Sequence, residues 1–580
     1  MSKLKFNKSK VLGMTAIIVL LFSIAIIGGQ MLGGYYLLWK LGAKTQGLNP
    51  FSLYQYHLAY GNSPVVGKFI EQALVISSAP CLLMFAMALG PLFIRKKPID
   101  SLYGNAKWAT VNEITNAGMF YDEAKVFKWP PVLLGKVGNK FVADYSQEYT
   151  TVVALPGAGK GVAFVIPNLL TYNHSVINFD PKTENFKITA GYRASVMKQK
   201  VFLFSPDNLE RRSHCWNAFD YINPDPLTRL ADIKNITQIL IPTDAGENQS
   251  FFIGAQNALN GIMLYQMETP SEQRTLPRAY DINQSAIGIE KWIHKTVGLR
   301  DASANPLSPE CRALLLAYAN EPERKRGTTK GIIDTYLSVF GDAFVRAATS
   351  RSDFNFHDLR KEPMTIFVGV LPPNVSKYQR LLNLFFSQAL TVNTMVLPEE
   401  GPKDSNGDYV LKYQCMPLLD EFTALGPIEI IRSSSGYTRA YNMRYSIVFQ
   451  NQSQVFSDKL YGRAGGESLL DTFHTDLVFA TESVEDAENY SKRLGYTTLK
   501  SVKESRSLKG GDGSRNIDYN QRALMLPQEI QRMPYEDAII FKKGGRINPI
   551  KCKKIVWYTD EFLKGRANLP TPEVPRMVFN

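Results

Sequence analysis

The feature that most constrains this chain is a glycine-rich turn that carries a lysine and lies between two apolar runs. The run before the turn, Thr150 to Leu155, is β-branched and apolar, as a buried parallel strand is. The run after it, Val162 to Leu170, is apolar enough for a buried helix. In such a turn, glycines let backbone N–H groups approach phosphate oxygens, the helix N-terminus adds positive potential, and the lysine reaches the β- and γ-phosphates. The pattern predicts a phosphate-binding loop whose residues are Ala154, Pro156, Gly157, Ala158, Gly159, Lys160, Gly161 and Val162.

Two positions depart from the usual pattern of such a loop. Ala154 stands where the first glycine is expected, and Gly161 stands where a serine or threonine hydroxyl usually binds magnesium. Alanine is small enough to keep the turn tight, whereas Gly161 leaves more of the magnesium coordination to other groups and to water. A glycine turn with a purely structural role is the alternative interpretation.

A second element lies far downstream, where the apolar run from Met416 to Leu419 ends in two adjacent carboxylates, Asp420 and Glu421. In an ATPase the first carboxylate anchors magnesium, and the second polarises the attacking water as a general base. A strand that runs into a helix N-cap would give the same pattern. Because a phosphate-binding loop precedes it, we expect ATP and Mg²⁺ as ligands, with Lys160, Asp420 and Glu421 in catalysis and Asp420 at the metal.

Beyond these carboxylates another β-rich run, Tyr445 to Phe449, ends at Gln450. A polar residue at a strand tip beside the phosphate-binding loop can sense the γ-phosphate. Arg439 and Arg444 precede this strand. The residues alone leave open whether these arginines are ordinary surface charges or whether one reaches a neighbouring subunit's nucleotide as an arginine finger.

Two apolar runs near the N-terminus predict membrane spans at about residues 11–31 and 73–94, since each is long enough to cross roughly 30 Å of hydrocarbon as a helix. A cleaved signal peptide is the alternative for the first run, although its apolar core is too long for one. Lysines precede the first span, and the cluster from Arg95 to Lys97 follows the second. The positive-inside rule therefore predicts that both termini and the main domain lie in the cytoplasm, with a short loop outside.

Net charge and cysteine spacing restrict the partners and the metal sites that this chain is expected to have. A formal net charge of +13 suits a polyanionic partner or anionic lipid headgroups. The five cysteines include no CxxC pair and no matched histidine spacing, so reduced core thiols are expected and a structural zinc site is not.

The separation between Lys160 and Asp420 is far longer than a nucleotide-binding core needs, so an insertion is expected within it. Helical periodicity recurs at 252–267, 284–298, 310–320 and 331–348, whereas the charged run 323–330 is expected to be a solvated turn. Residues 503–516 are expected to form a flexible loop, and residues 536–546 and 549–556 a closing hairpin. The predicted domains are a transmembrane hairpin at 1–98, a nucleotide-binding domain in two parts at 99–223 and 347–580, and an inserted all-α domain at 224–346.

Several motifs together resemble one family, the type IV secretion coupling proteins, which include the TraG-type conjugation ATPases. The likeness covers most of the chain. Its motifs are Gly104-Asn105-Ala106-Lys107-Trp108-Ala109, Gly159-Lys160-Gly161-Val162, Asp180-Pro181-Lys182-Thr183-Glu184-Asn185, Trp216-Asn217-Ala218-Phe219, Thr349-Ser350-Arg351-Ser352-Asp353-Phe354 and Asp420-Glu421-Phe422-Thr423-Ala424-Leu425-Gly426.

The resemblance implies an α/β fold in which a RecA-like P-loop ATPase core is interrupted by an all-α domain and anchored by two transmembrane helices. It implies a homo-hexameric ring at the bacterial inner membrane that feeds substrates into a type IV secretion channel. By position Arg439 resembles the family's arginine finger, with Arg444 as the fallback.

Three functions are compatible with these features. The leading one is a conjugative motor that recruits a relaxase bound to single-stranded DNA and drives its transfer with ATP. A coupling protein for secreted effector proteins would share the same core, but no added substrate-receptor tail is evident. A recruitment scaffold that binds nucleotide without motor activity is the third, and intact Lys160, Asp420 and Glu421 argue against it.

Overall fold

The computed structural model describes residues 8–93, 102–125, 128–243, 249–434, 436–505, 514–545 and 547–579. The chain divides into two compact units, Met1–Asp100 and Ser101–Asn580.

The first unit consists of helices α1 (Lys8–Lys40), α2 (Ser52–Tyr60) and α3 (Val66–Phe93). Helices α1 and α3 contain segments that are long and apolar enough to cross a membrane, at Leu20–Lys40 and Val66–Phe85. Both segments are displaced from the predicted spans: the first helix continues to Lys40 and the second begins at Val66, while residue 94 lies outside the described part of the chain.

Close packing of α1 on α3 depends on two glycines one helical turn apart. A Cβ atom at Gly29 would lie 2.1 Å from the Ser77 carbonyl oxygen, and one at Gly33 would lie 2.6 Å from that of Ala73. No larger residue fits at these positions without moving the helices, as in other helix pairs packed through small residues.

The second unit is built on one large sheet. Its strands are β1 (Val132–Val137), β2 (Lys140–Asp144), β3 (Thr150–Val153), β4 (Ser175–Phe179), β5 (Lys200–Phe204), β6 (Met364–Val368), β7 (Cys415–Leu419), β8 (Ser446–Phe449), β9 (Thr475–Val478), β12 (Asp537–Lys542) and β13 (Ile550–Lys553), and a separate hairpin comprises β10 (Tyr496–Ser505) and β11 (Ser514–Ala523).

The strand order of the large sheet is β2-β1-β13-β12-β9-β3-β8-β7-β4-β6-β5. Strands β9 through β5 in this order run parallel, and the four strands on the other side continue the sheet antiparallel. Every residue of β3, β4, β6, β7 and β8 is buried, as expected for parallel strands covered on both faces. This is the predicted α/β core.

The helices of the second unit cover the sheet and fill its connections. They are α4 (Val111–Asn116), α5 (Ile166–Leu169), α6 (Glu184–Ser195), α7 (Arg229–Leu240), α8 (Gln249–Glu268), α9 (Leu276–Asn283), α10 (Ile289–Asp301), α11 (Pro309–Ala319), α12 (Glu323–Leu337), α13 (Ala343–Ala348), α14 (Val375–Asn393), α15 (Glu429–Ser434), α16 (Gln452–Val455), α17 (Gly462–Asp471), α18 (Val484–Leu494), α19 (Pro527–Gln531) and α20 (Glu561–Lys564). Between β5 and β6 the described residues form helices and turns and contain no strand.

One local expectation is wrong, and a second is wrong at both of its ends. The charged run 323–330 is the start of α12 and not a turn, and three of its four cations are paired: Lys325 with Glu321, Arg326 with Glu290, and Lys330 with Asp334. The predicted loop at 503–516 begins and ends within the paired strands β10 and β11, whose register extends from Tyr496↔Ala523 to Ser505↔Ser514. Residues 506–513 lie outside the described part, as does Arg546 of the closing hairpin, whose strands β12 and β13 are otherwise as predicted.

Candidate nucleotide site

Four neighbouring parallel strands bring the predicted site residues to one edge of the sheet. The phosphate-binding loop follows β3, Gln450 follows β8, Asp420 follows β7 and Asp180 follows β4. Because parallel strands end at the same edge, residues that are far apart in sequence meet in the crevice that such sheets use for ligands.

Glycines shape the phosphate-binding loop. The Ala154 N–H donates to the Phe449 carbonyl at 3.1 Å, so this residue closes the pairing of β3 with β8 and is itself fully buried. Gly157 and Gly159 have φ angles of +78° and +80°, which side-chain-bearing residues rarely adopt. At Gly159 a Cβ atom would also lie 2.5 Å from the Tyr535 hydroxyl. Glycine is therefore required at both turn positions, and alanine is tolerated at 154 because that residue directly follows β3 and continues its hydrogen bonding to β8.

Lys160 connects this loop to the downstream carboxylates. Its ammonium group forms an ion pair with Glu421 and donates to the Asp420 carbonyl oxygen at 3.1 Å. The loop and the carboxylate pair, which the sequence treats as separate motifs, thus form one site. Lys160 is also the last residue before a π-helical turn, Gly161–Val165, that leads into α5 in place of the single predicted helix.

Asp180 lies beside Asp420, because Phe179 and Leu419 are partners in the register of β4 and β7. Its carboxylate accepts the N–H groups of Glu184 at 3.1 Å and Phe186 at 2.9 Å, at the start of α6. Burial raises the pKa of Asp180 to about 7, and the nearby charge of Asp420 adds to this effect. Sequence reasoning placed Asp180 within a motif without giving it a role.

Asp420 is half-buried as a residue, but its Oδ1 atom is shielded from solvent and has no hydrogen-bond partner among the described residues. Burial raises the pKa of Asp420 to about 6; Lys160 opposes this rise and Glu421 adds to it. A buried carboxylate oxygen without a partner is destabilising unless a cation or a donor reaches it.

These residues line a cavity of about 600 Å³, a volume that suits a small-molecule ligand. Its walls include Gly157, Gly159, Lys160, Gly161, Val162, Asp180, Asp420, Glu421, Pro372 and Tyr535. Ala154, directly after β3, is fully buried and does not line the cavity. The Lys160 ammonium group and the backbone of the glycine loop therefore share one cavity with the carboxylates of Asp180, Asp420 and Glu421.

A second lysine, Lys554, supports the loop from behind. Its ammonium group donates to the Ala158 carbonyl at 2.9 Å and lies 4.1 Å from the centre of the Phe479 ring and 4.5 Å from that of Tyr535. Burial lowers the pKa of Lys554 to about 8. Sequence reasoning missed this residue because only the return of β13 across the sheet brings it to the loop.

The residues present fit a magnesium ion held partly by the protein. The described residues contain no group of three or more His, Cys, Asp or Glu side chains arranged to hold a metal. Mg²⁺ instead usually binds one or two carboxylates together with phosphates and water, and the unpartnered Asp420 Oδ1 offers such a ligand. A Cβ atom at Gly161 would meet no atom within 4 Å, so this position contributes open space where a hydroxyl usually stands.

The structure separates the two candidate arginines from the loop. Arg444 is fully buried and donates to the carbonyls of Pro130, Asp144 and Glu148 at 3.1–3.2 Å, so it cannot serve as the fallback finger. Arg439 precedes β8 at the opposite edge of the sheet: its guanidinium lies 4.9 Å from the Tyr149 ring and donates to the Thr472 carbonyl at 2.9 Å.

Comparison with known proteins identifies the family. The model of the family "Type IV secretory system Conjugative DNA transfer" matches residues 107–578. The conjugal transfer protein TraG of Escherichia coli is 27% identical over 82% of this chain and 80% of its own length. The protein VirD4 of Agrobacterium fabrum is 27% identical over 93% of this chain and 78% of its own length.

Solved structures show the same fold. The unbound bacterial conjugative coupling protein TrwBdeltaN70 has a TM-score of 0.54 at 14% identity, covering 78% of this chain and 96% of that one. The plasmid coupling protein TrwB in complex with ADP and Mg²⁺ has a TM-score of 0.53 at 13% identity, covering 82% and 98%. The RecA-like P-loop core is thereby confirmed, and the chain belongs to the type IV secretory system conjugative DNA transfer family as a TraG/VirD4-type coupling protein.

Proposed function

We propose that the chain is an ATP-driven motor that recruits a relaxase bound to single-stranded DNA and drives it into a type IV secretion channel. The observation that carries this proposal is the meeting of Lys160, Glu421 and Asp420 in one cavity. The structures of TrwB with ADP and Mg²⁺ and with a non-hydrolysable ATP analogue support nucleotide binding in this fold.

Without nucleotide, the ammonium group of Lys160 and the carboxylate of Glu421 neutralise each other in an ion pair. A nucleotide phosphate competes for the Lys160 ammonium group, because both the phosphate and Glu421 are anionic acceptors. Release from Lys160 leaves the Glu421 carboxylate free to accept a proton from an attacking water. Asp420 would hold magnesium, which when bound neutralises phosphate charge. Asp180 fixes the start of α6 and lies beside Asp420.

We propose that residues 1–98 anchor the protein in the bacterial inner membrane through α1 and α3, in contact with membrane lipid and channel components. Positive residues flank the helix pair, which favours cytoplasmic placement of both termini and of the main domain. The nucleotide-binding core would then comprise residues 99–223 and 347–580, with residues 224–346 as the inserted helical domain.

Arg439 and Gln450 would act within a ring. Arg439 lies at the edge of the sheet opposite the loop of its own chain, so it can meet a nucleotide only from a neighbouring copy, as in a homo-hexamer. Gln450 directly follows β8 next to the phosphate-binding loop and would sense the presence of the γ-phosphate. An Arg439→Ala variant should bind nucleotide normally and lose ATPase activity in the assembled ring. Normal ring activity would refute the role of Arg439.

A mating assay tests the motor. Lys160→Ala should abolish nucleotide binding, while Glu421→Gln should keep binding and lose hydrolysis, and both should abolish DNA transfer. Glu399→Gln, in an exposed loop, is the matched control and should transfer DNA normally. Wild-type transfer by both site variants would refute a motor function. Absence of stimulation by single-stranded DNA, together with transfer of a reporter protein, would favour the effector-secretion alternative.

A further inference from the structure

The short helix α2, between the two candidate spans, folds back along them. Leu53 of α2 is fully buried and packs with Leu37 of α1 and with Ile70 and Ala73 of α3. A Cβ atom at Gly33 would lie 2.8 Å from the Leu53 side chain. Gly33 precedes the end of α1 by seven residues, which at the rise of an α-helix is about 10 Å. Helix α2 therefore lies beside the last two turns of α1, not beyond its end.

The side of α2 that faces away from α1 and α3 carries three large apolar or aromatic side chains. Phe51, Tyr54 and Leu58 are 68%, 59% and 68% exposed. Phe51 directly precedes the helix, and the spacing of three and four residues places the three side chains on one side of it, beside exposed Gln55 and away from the buried Leu53. Three large apolar side chains on one exposed helix side indicate a surface that water alone does not cover.

The surroundings of this surface match the boundary between lipid and water. Tyr35 and Trp39 are exposed in the last two turns of α1, the part of that helix beside which α2 lies. Aromatic residues concentrate at membrane interfaces. From Leu41 to Val65 the only charged residue is Lys44, so placing this segment at the membrane surface would remove at most one charge from water. Helix α2 also packs through Leu53 against residues of both candidate spans, so it belongs to the helix pair that a membrane would surround.

We infer that α2 is an interfacial helix whose Phe51, Tyr54 and Leu58 side chains insert into the boundary of headgroups and acyl chains in the outer leaflet. Its partner is the phospholipid bilayer, not another protein. This inference rests on the proposed membrane anchorage. It predicts that the loop between the spans is part of the anchor and is not a free extracytoplasmic domain.

Nitroxide labels on the full-length chain in phosphatidylethanolamine–phosphatidylglycerol bilayers test the inference. Cys81→Ser removes the one half-buried thiol, and the other four cysteines are buried. Single cysteines are then placed at Leu58, at exposed Ile26 of α1, and at exposed Gln46 of the loop. Collision of each label with oxygen, which concentrates in lipid, is compared with collision with a water-soluble nickel complex.

We expect an oxygen-to-nickel collision ratio at position 58 that is several-fold above that at position 46 and below that at position 26. Equal ratios at 58 and 46 would refute insertion while leaving the membrane anchorage intact. Protection of position 58 from both reagents would show that a protein covers the surface, which also overturns the inference. A low ratio at position 26 would instead refute the anchorage itself.

Discussion

Because its Oδ1 atom is shielded from solvent, the Asp420 carboxylate should destabilise the ligand-free protein more at neutral pH than in acid. Burial raises the pKa of Asp420 from an ordinary 3.8 to about 6. Because the folded state holds the proton more tightly, folding is penalised once the unfolded chain ionises, and the penalty grows until the pH passes the folded pKa. The full penalty is about 3 kcal/mol.

Replacement of Asp420 by Asn removes this penalty, and it also lowers the raised pKa of Asp180, because the charge of Asp420 contributes to that rise. Roughly half of the Asp420 penalty is already present at pH 5, and nearly all of it at pH 8. The change in unfolding free energy caused by Asp420→Asn should therefore be more stabilising at pH 8 than at pH 5, by on the order of 1 kcal/mol. Comparing the two pH values cancels costs of the substitution that do not depend on pH.

Denaturant unfolding of the full-length protein in detergent, without nucleotide or magnesium, measures this difference. Asp408→Asn, in an exposed loop, is the matched control and should change stability equally at both pH values. Asp420→Asn should also weaken magnesium-dependent nucleotide binding, because it removes the carboxylate proposed to hold the metal. A stability change for Asp420→Asn that is identical at pH 5 and pH 8 would refute the argument that burial controls this group.

Three further substitutions have expected outcomes. Gly161→Ser should fold normally, because a Cβ atom there meets nothing within 4 Å, and should tighten magnesium-dependent nucleotide binding in a titration; weaker binding would contradict a metal at this position. Lys554→Met should weaken nucleotide binding about tenfold with little change in melting temperature, since it removes one hydrogen bond to the loop and keeps the apolar stem, and Lys554→Arg should restore part of the loss. Gly33→Leu should lower the melting temperature in detergent, because its Cβ would lie 2.6 Å from the Ala73 carbonyl, whereas the control Gly28→Leu meets nothing and should not.

The parts of the site that depend on local sequence were predictable. The phosphate-binding loop and the Asp420–Glu421 pair each follow a short buried strand, and strand tips carry their chemistry in neighbouring residues. Because parallel strands end at the same edge of a sheet, the meeting of these two motifs was predictable without knowledge of the strand order. Gln450 reached this edge for the same reason.

Features that depend on contacts between residues far apart in the sequence were not predictable. Lys554 supports the loop only because β13 returns antiparallel through β12 to the neighbourhood of β9. The charged start of α12 looked like a solvated turn because sequence alone does not show that its cations pair with Glu321 before the helix, with Glu290 of α10 and with Asp334 one turn further along α12. Composition reports charge, but it does not report which charges are paired.

Arg444 shows the same limit for a single residue. It is as polar as Arg439 and lies five positions away, yet it is enclosed by backbone carbonyls and paired with Asp144 at 3.5 Å. Burial alone would raise the pKa of Asp144, but Arg444 and Lys542 outweigh burial and hold it below its ordinary value. This network joins the start of β8 to the carboxyl ends of β2 and β12, so Arg444 has a structural role that no sequence motif records.

The parallel pairing of β3 with β8 has a consequence for assembly. Val153 pairs with Phe449 beside the phosphate-binding loop, so the segment before β8 that carries Arg439 lies at the other end of the same strands. Within one chain, the loop and Arg439 are held apart by a rigid sheet that cannot bend to join them. If Arg439 contributes to hydrolysis, the contribution has to come from a neighbouring copy, and its contacts with Thr472 and His474 have to be exchanged for a phosphate. Catalysis that depends on such an exchange is active only in the assembled ring, which would restrict ATP consumption to proteins already in place at the channel.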